Sequence, residues 1–136
     1  LVTAVLISAV FLYVLPLNFY MRSTDSRWEV RGYEERDAGL WLRQNSKVEP
    51  YVFSASRRPV FYAGARQLEP RMESVDEVLS DLKSRRVDYV ITSERSLKRN
   101  QFLTGLDKLL LTDPDFELVY DKTPKPGYAI SIFRRK

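Results

Sequence analysis

The stretch Ser74-Val-Asp-Glu-Val-Leu-Ser-Asp-Leu-Lys-Ser-Arg-Arg-Val-Asp-Tyr-Val-Ile-Thr92 decides the fold. Ser74 and Glu77 have the spacing of a capping box, in which the Ser hydroxyl accepts from the backbone three residues on. Val75, Val78, Leu79 and Leu82 follow at i, i+3, i+4 and i+7, one apolar face of a helix. Arg85 and Arg86 stand at its end, where the helix dipole favours cations. The pattern then switches period: Val87-Asp-Tyr-Val-Ile-Thr92 is short, β-branched and aromatic, a buried strand. A helix leading straight into a strand is the unit of an α/β fold.

The same alternation extends in both directions. Upstream, Tyr33 to Asn45 reads as a helix with Ala38, Trp41 and Leu42 on one face and acids in its first turn. Tyr51 to Ser54 is a short strand, and Ser56 caps a small helix that carries Pro59 in its first turn and stops at Gly64. Arg66 to Glu69 is a weak strand ending before Pro70. Downstream, Ser93-Glu-Arg95 reads as a turn and Leu97 to Leu111 as a helix. Asp113-Pro-Asp115 is a turn, and the strands Phe116 to Tyr120 and Tyr128 to Phe133 are joined by the hairpin loop Asp121 to Gly127. The expected architecture is a small three-layer α/β domain over 33–136, its sheet largely parallel, with a C-terminal antiparallel hairpin at one edge.

A different solvent is implied further upstream. Residues 1–21, from Leu1 to Met21, hold no charged side chain, and the length suffices for a transmembrane helix. Pro16 would end or kink it, and Tyr13, Phe19 and Tyr20 stand where an aromatic belt is expected, followed by Arg22. A signal peptide would need a basic start and a small-residue cleavage site, which this run lacks. Residues 22–32 read as a linker. With no initiator Met, the run is read as the last span of a longer parent, so the expected partners are the membrane and an upstream transmembrane bundle.

Composition narrows the chemistry. The chain of 136 residues contains neither His nor Cys, which removes the Ser-His-Asp triad, thiolate chemistry and the usual zinc ligands. No glycine-rich loop joins a strand to a helix, so a dinucleotide or P-loop site is not expected. Asp113 and Asp115 are turn formers rather than a catalytic pair. No cofactor, no metal and no catalytic residue is expected within this chain. The net charge of +4 lies wholly beyond residue 21. Its basic pairs sit at element ends without interleaved exposed aromatics, so nucleic acid is an unlikely partner by composition. The candidate contacts are Arg57, Arg58, Tyr62, Glu94 and Arg95. All but Tyr62 belong to loops at the C-terminal ends of strands, where open α/β sheets bind ligands, and such groups suit a phosphate or a sugar.

Three segments carry a family resemblance: Tyr33-Glu-Glu-Arg-Asp-Ala-Gly-Leu-Trp-Leu-Arg-Gln-Asn45, Ser54-x4-Pro59-x2-Tyr62-Ala-Gly64, and Val87 to Arg95. Together with the closing strand from Gly127 to Phe133, they resemble the C-terminal soluble region of polytopic GT-C-type glycosyltransferases, relatives of protein O-mannosyltransferase and of the lipid A aminoarabinose transferase. The resemblance implies a parent that transfers sugar from a lipid-phosphate donor on the extracytoplasmic side of the membrane. Its catalytic acids would lie in an early loop, absent here, so this chain would be a lid, scaffold or acceptor-recognition module. Arg22, Arg27, Arg31 and Arg36 run against that orientation by the positive-inside rule. The alternative is a single-span membrane-anchored binding or sensor domain unrelated to glycosyl transfer.

Overall fold

The structure is a computed structural model that describes residues 32–69 and 74–136. The expected transmembrane helix over 1–21 and nearly all of the linker over 22–32 lie outside the described residues. Among the described residues, no helix is long and apolar enough to cross a membrane. The fold below is that of the compact unit Glu34–Lys136.

In chain order the elements are α1 (Tyr33–Asn45), β1 (Tyr51–Ser54), α2 (Arg57–Ala63), β2 (Arg66–Leu68), α3 (Val75–Ser84), β3 (Tyr89–Ser93) and α4 (Glu94–Arg99). A 3-10 turn (Gln101–Leu103), α5 (Leu106–Thr112), β4 (Phe116–Lys122) and β5 (Ile130–Arg135) complete it. The local signals act as expected at three ends. Ser74 Oγ accepts from Glu77 N at 3.3 Å, Ser56 caps α2 through Arg58 N, and Gly64 ends α2 at φ 63 in the left-handed region, where glycine carries no Cβ penalty.

The helix expected over Leu97 to Leu111 is instead three pieces. Ser93 is both the last residue of β3 and the N-cap of α4, its Oγ accepting from Ser96 N at 3.3 Å. The expected turn at Ser93–Arg95 is therefore the first turn of a helix. Asn100 leaves helical geometry at ψ 94, and Gly105 stands at φ 86, which restarts the chain as α5. The breaks let Leu103, Leu106 and Leu110 all reach the core, at 0 to 1% exposure.

The five strands form one mixed sheet, not the largely parallel one expected, in the order β2-β1-β3-β5-β4. β1 pairs in parallel with β2 and β3, while β5 pairs antiparallel with both β3 and β4. The hairpin is present, but only β4 is an edge. β5 enters beside β3 because Ile130, Ile132 and Phe133 bury side chains on both of its faces, whereas β4 buries only Phe116 and leaves Leu118 exposed.

Alternation along the strands feeds two cores. Phe53, Val90 and Phe133 face α3, the 3-10 turn and α5, joining Val78, Leu82, Leu103, Leu106 and Leu110. Val52, Ile91 and Ile132 face α1 and α2, joining Ala38, Leu42, Val60 and Ala63. Helices thus cover both faces, giving the expected three layers.

One ion cluster fastens α3 to the turn before β4. Lys83 Nζ lies 2.7 Å from Asp113 Oδ2 and 3.0 Å from Asp115 Oδ2, and Asp113 Oδ1 accepts from Asp115 N at 2.9 Å. The turn reading of this carboxylate pair is therefore correct, with the lysine as its unforeseen partner. Burial pushes the Asp113 carboxyl up, but the Lys83 hydrogen bond and the Asp115 N–H outweigh it and hold it below the usual range. The Asp113 bond, then the Asp115 bond, raise the Lys83 ammonium. A lowered carboxyl stabilises the fold above its unfolded pKa of about 3.9, and this is lost as pH falls through the folded value. The raised ammonium contributes below about pH 10 and loses its part above that. Lys83→Met should therefore melt below the wild type at pH 6, with the gap narrowing as pH falls below the unfolded pKa of about 3.9. Parallel melting curves with an unchanged gap would show that the cluster adds nothing.

Candidate functional site

Strand order fixes where a crevice opens. From β1 the chain passes through α2 outward to β2, and from β2 through α3 it crosses back to β3 on the other side of β1. Connections diverge at β1 and β3, and a switch point of this kind leaves a gap outside the C-terminal strand ends. There lies a cleft of about 340 Å³ lined by Ser56, Arg57, Arg58, Arg95, Arg99 and Asn100, with Glu35 at its side.

Three of the five sequence candidates, Arg57, Arg58 and Arg95, line this cleft. Two do not. Glu94 begins α4 turned away from it. Its carboxylate takes Lys98 Nζ at 2.6 Å, and its backbone N donates to Ala129 O at 2.8 Å, which fastens the β4–β5 loop. The Lys98 bond, together with N–H groups of Ala129 and Gly127, lowers its carboxyl pKa against the opposing effect of desolvation. Tyr62 stands at the crossing of α1 and α2, its ring edge-on to Phe61 at 5.5 Å. Both are holding groups rather than cleft contacts.

Sequence reading missed Arg99 and Asn100 because it began the helix at Leu97. Had the helix started at the Ser93 cap, Arg95 and Arg99 would have shared a face at i and i+4. It also missed the acidic side. Glu34 and Glu35, in the first turn of α1, are buried at 4% and 6% exposure. Glu35 Oε2 lies 3.9 Å from Arg58 Nε and Glu34 Oε1 lies 3.7 Å from Arg95 Nη2. These ion pairs are longer than a charge-assisted hydrogen bond of about 2.7–2.9 Å. Arg57 pairs with exposed Glu69, while Arg99 has no carboxylate within ion-pair reach among the described residues. Arg95 also lies over the Tyr128 ring, 4.6 Å from its centroid, with Lys125 at 4.4 Å from the same centroid. That stack orients the guanidinium at the cleft wall.

The cleft offers charged and hydrogen-bonding side chains. The serine hydroxyls are engaged as caps: Ser54 Oγ accepts from Ser56 N, Ser56 Oγ from Arg58 N, and Ser93 Oγ donates to Ser96 Oγ. With no histidine in the chain, none of them has an imidazole base. Among the described residues, no cluster of three acidic side chains is placed to hold a metal ion. Guanidinium groups from α2 and α4 converging on one crevice fit an oxyanion, and the neighbouring carboxylates and Asn100 fit hydroxyl donors.

Compared with known proteins, the chain matches no family model, no curated protein and no solved structure.

Proposed function

We propose that residues 33–136 are a non-catalytic recognition domain for a phosphate-bearing ligand, the extracytoplasmic C-terminal part of a polytopic glycosyltransferase that uses a lipid-phosphate-linked sugar. The observation that carries the reading is the set of four arginines around the switch-point cleft. Multiple guanidinium forks in one crevice favour a multiply charged oxyanion over a neutral sugar. The first turn of α1 forms one side of that cleft through Glu35, so the chain enters this unit at the rim of its site.

The test uses the 136-residue chain in neutral detergent micelles, titrated with geranylgeranyl phosphate and with geranylgeraniol. The phosphate should bind and the alcohol should not. Arg99→Glu is the cleanest variant, because Arg58→Glu would set a second carboxylate beside buried Glu35. Arg99→Glu, and Arg57→Glu with it, should weaken binding at least about tenfold, near 1.4 kcal/mol, with little change in melting temperature. Binding that ignores both substitutions would remove the cleft from the reading. Equal affinity for inorganic phosphate and the prenyl phosphate would favour an anchored sensor of soluble anions instead.

A further inference from the structure

A second concavity lies at the opposite end of the sheet, where β3 begins and β5 ends. It is an open groove of about 560 Å³ lined by Lys47, Arg86, Asp88, Arg134, Arg135 and Lys136. Of the eight residues that line it, with Val87 and Tyr89 as the other two, five are cationic.

The acids nearby are already engaged, Asp113 and Asp115 beside Lys136 by Lys83. Asp88 accepts from Lys47 Nζ at 2.7 Å and from Tyr51 N at 2.8 Å, and Glu117 takes Arg134 Nε at 2.7 Å. Those pairs neutralise Lys47 and Arg134. Arg135 Nη1 donates at 2.9 Å to the carbonyl of Lys83 near the end of α3, not to an acid. Arg86 is exposed and, among the described residues, has no carboxylate within ion-pair reach. Its backbone sits at φ 54, in the left-handed region that a non-glycine residue seldom adopts. The turn between α3 and β3 therefore places this guanidinium on the groove at some conformational cost. Two guanidinium groups without acidic partners, from the α3–β3 turn and the end of β5, thus border one volume.

We infer that this groove is a second anion site, for a compact phosphate group, independent of the switch-point cleft. Guanidinium forks match phosphate oxygens in pairs, and a multiply charged anion gains most from an unbalanced cationic surface. A nucleic acid would also need exposed stacking surfaces, and the one aromatic that lines the groove, Tyr89, is only 8% exposed. The phosphate can belong to a free ion or to a lipid headgroup, since the groove reads only the phosphate.

The experiment titrates the 15N-labelled 136-residue chain, in neutral detergent micelles at constant ionic strength, with inorganic pyrophosphate and separately with dihexanoyl phosphatidic acid. Amides of Arg86 to Tyr89 and Arg134 to Lys136 should shift saturably with at least one probe, and the stronger probe identifies the source. Arg86→Asn keeps a residue that tolerates the left-handed turn and should weaken the groove response at least fivefold. Arg86→Lys, which keeps the charge but loses the fork, should restore only part of it, and Lys136→Gln should weaken it independently. The cleft amides, Ser54 to Arg58 and Arg95 to Asn100, should respond identically in the wild type and Arg86→Asn, and Arg99→Glu should show the reverse pattern. Failure of the cleft is thereby separable from failure of the groove. Groove amides that move with neither probe, or move equally in Arg86→Asn, overturn the inference.

Discussion

Gly39→Val is expected to destabilise the domain by more than about 3 kcal/mol, and Gly39→Ala to destabilise it measurably although alanine is the better helix former. A Cβ at Gly39 would lie 2.4 Å from the carbonyl oxygen of Pro59 and 2.7 Å from Cβ of Tyr62. The first is backbone and cannot rotate away. Its element is short and held at both ends, by the Ser56 cap and by the left-handed Gly64. Two effects oppose one another. Alanine in a helix interior gains about 1 kcal/mol over glycine, while overpacking a tight contact costs about 1–3 kcal/mol and sometimes more. At 2.4 Å the clash wins, because α1 must move bodily off α2 and pull Ala38 and Leu42 from their core. The alanine variant should therefore lose about 1–2 kcal/mol and melt several degrees lower, at about 4–8 °C per kcal/mol for a domain of this size. Valine adds two methyls in the same place and should cost more than about 3 kcal/mol. Urea melts of the three proteins decide it. Gly39→Ala at or above wild-type stability would mean that the helices do not approach this closely.

That glycine also marks a limit of sequence reading. Gly39 falls inside a helix whose ends, Tyr33 and Asn45, are both legible from acids, periodicity and the following turn residues. Nothing local says that a glycine there serves a crossing with α2, because the contact depends on how two helices meet over the sheet. The same division runs through the fold. Elements with both a cap and a period, such as α3 after Ser74, were readable. The region 94–112 was not, because its leucines keep a helical spacing across breaks at Asn100 and Gly105, and the periodic signal outweighed the two breakers. The hairpin was legible from Asp121 to Gly127, but the position of β5 beside β3 was not, since it depends on which strand is apolar on both faces.

The candidate site divides in the same way. Topology brings strand-end loops together, so Arg57, Arg58 and Arg95 were foreseeable from strand ends alone. Glu34 and Glu35 were not, because they come from the first turn of a helix that precedes the sheet. On the sequence they look like ordinary acids at a helix N-terminus. In the fold the same two residues also face Arg95 and Arg58, so a single pair of carboxylates serves helix and cleft together.

Phe133→Ala is expected to be the most damaging single truncation in the sheet, costing about 3–5 kcal/mol. Phe133 is 1% exposed and stands on β5, opposite Val90 of β3 and Leu118 of β4. Its ring belongs to the core that α3, the 3-10 turn and α5 close, with Phe53, Leu82, Leu106 and Leu110. Removing it deletes the transfer energy of a phenyl group and leaves a cavity that three helical elements cannot collapse into together. Small domains hold only about 5–15 kcal/mol in all, so the variant should sit near its unfolding midpoint under mild denaturant. Phe61→Ala is the matched control: the same side chain, 79% exposed on α2, should change stability by less than about 0.5 kcal/mol. The consequence reaches both proposed anion sites. β5 carries Arg134 and Arg135 to the groove, and its N-terminal end fixes the loop whose Tyr128 backs Arg95 at the cleft. Loosening β5 should therefore weaken phosphate binding at both ends of the sheet together, whereas Arg86→Asn and Arg99→Glu each affect one end. A Phe133→Ala protein as stable as Phe61→Ala would mean that β5 is not held between β3 and β4.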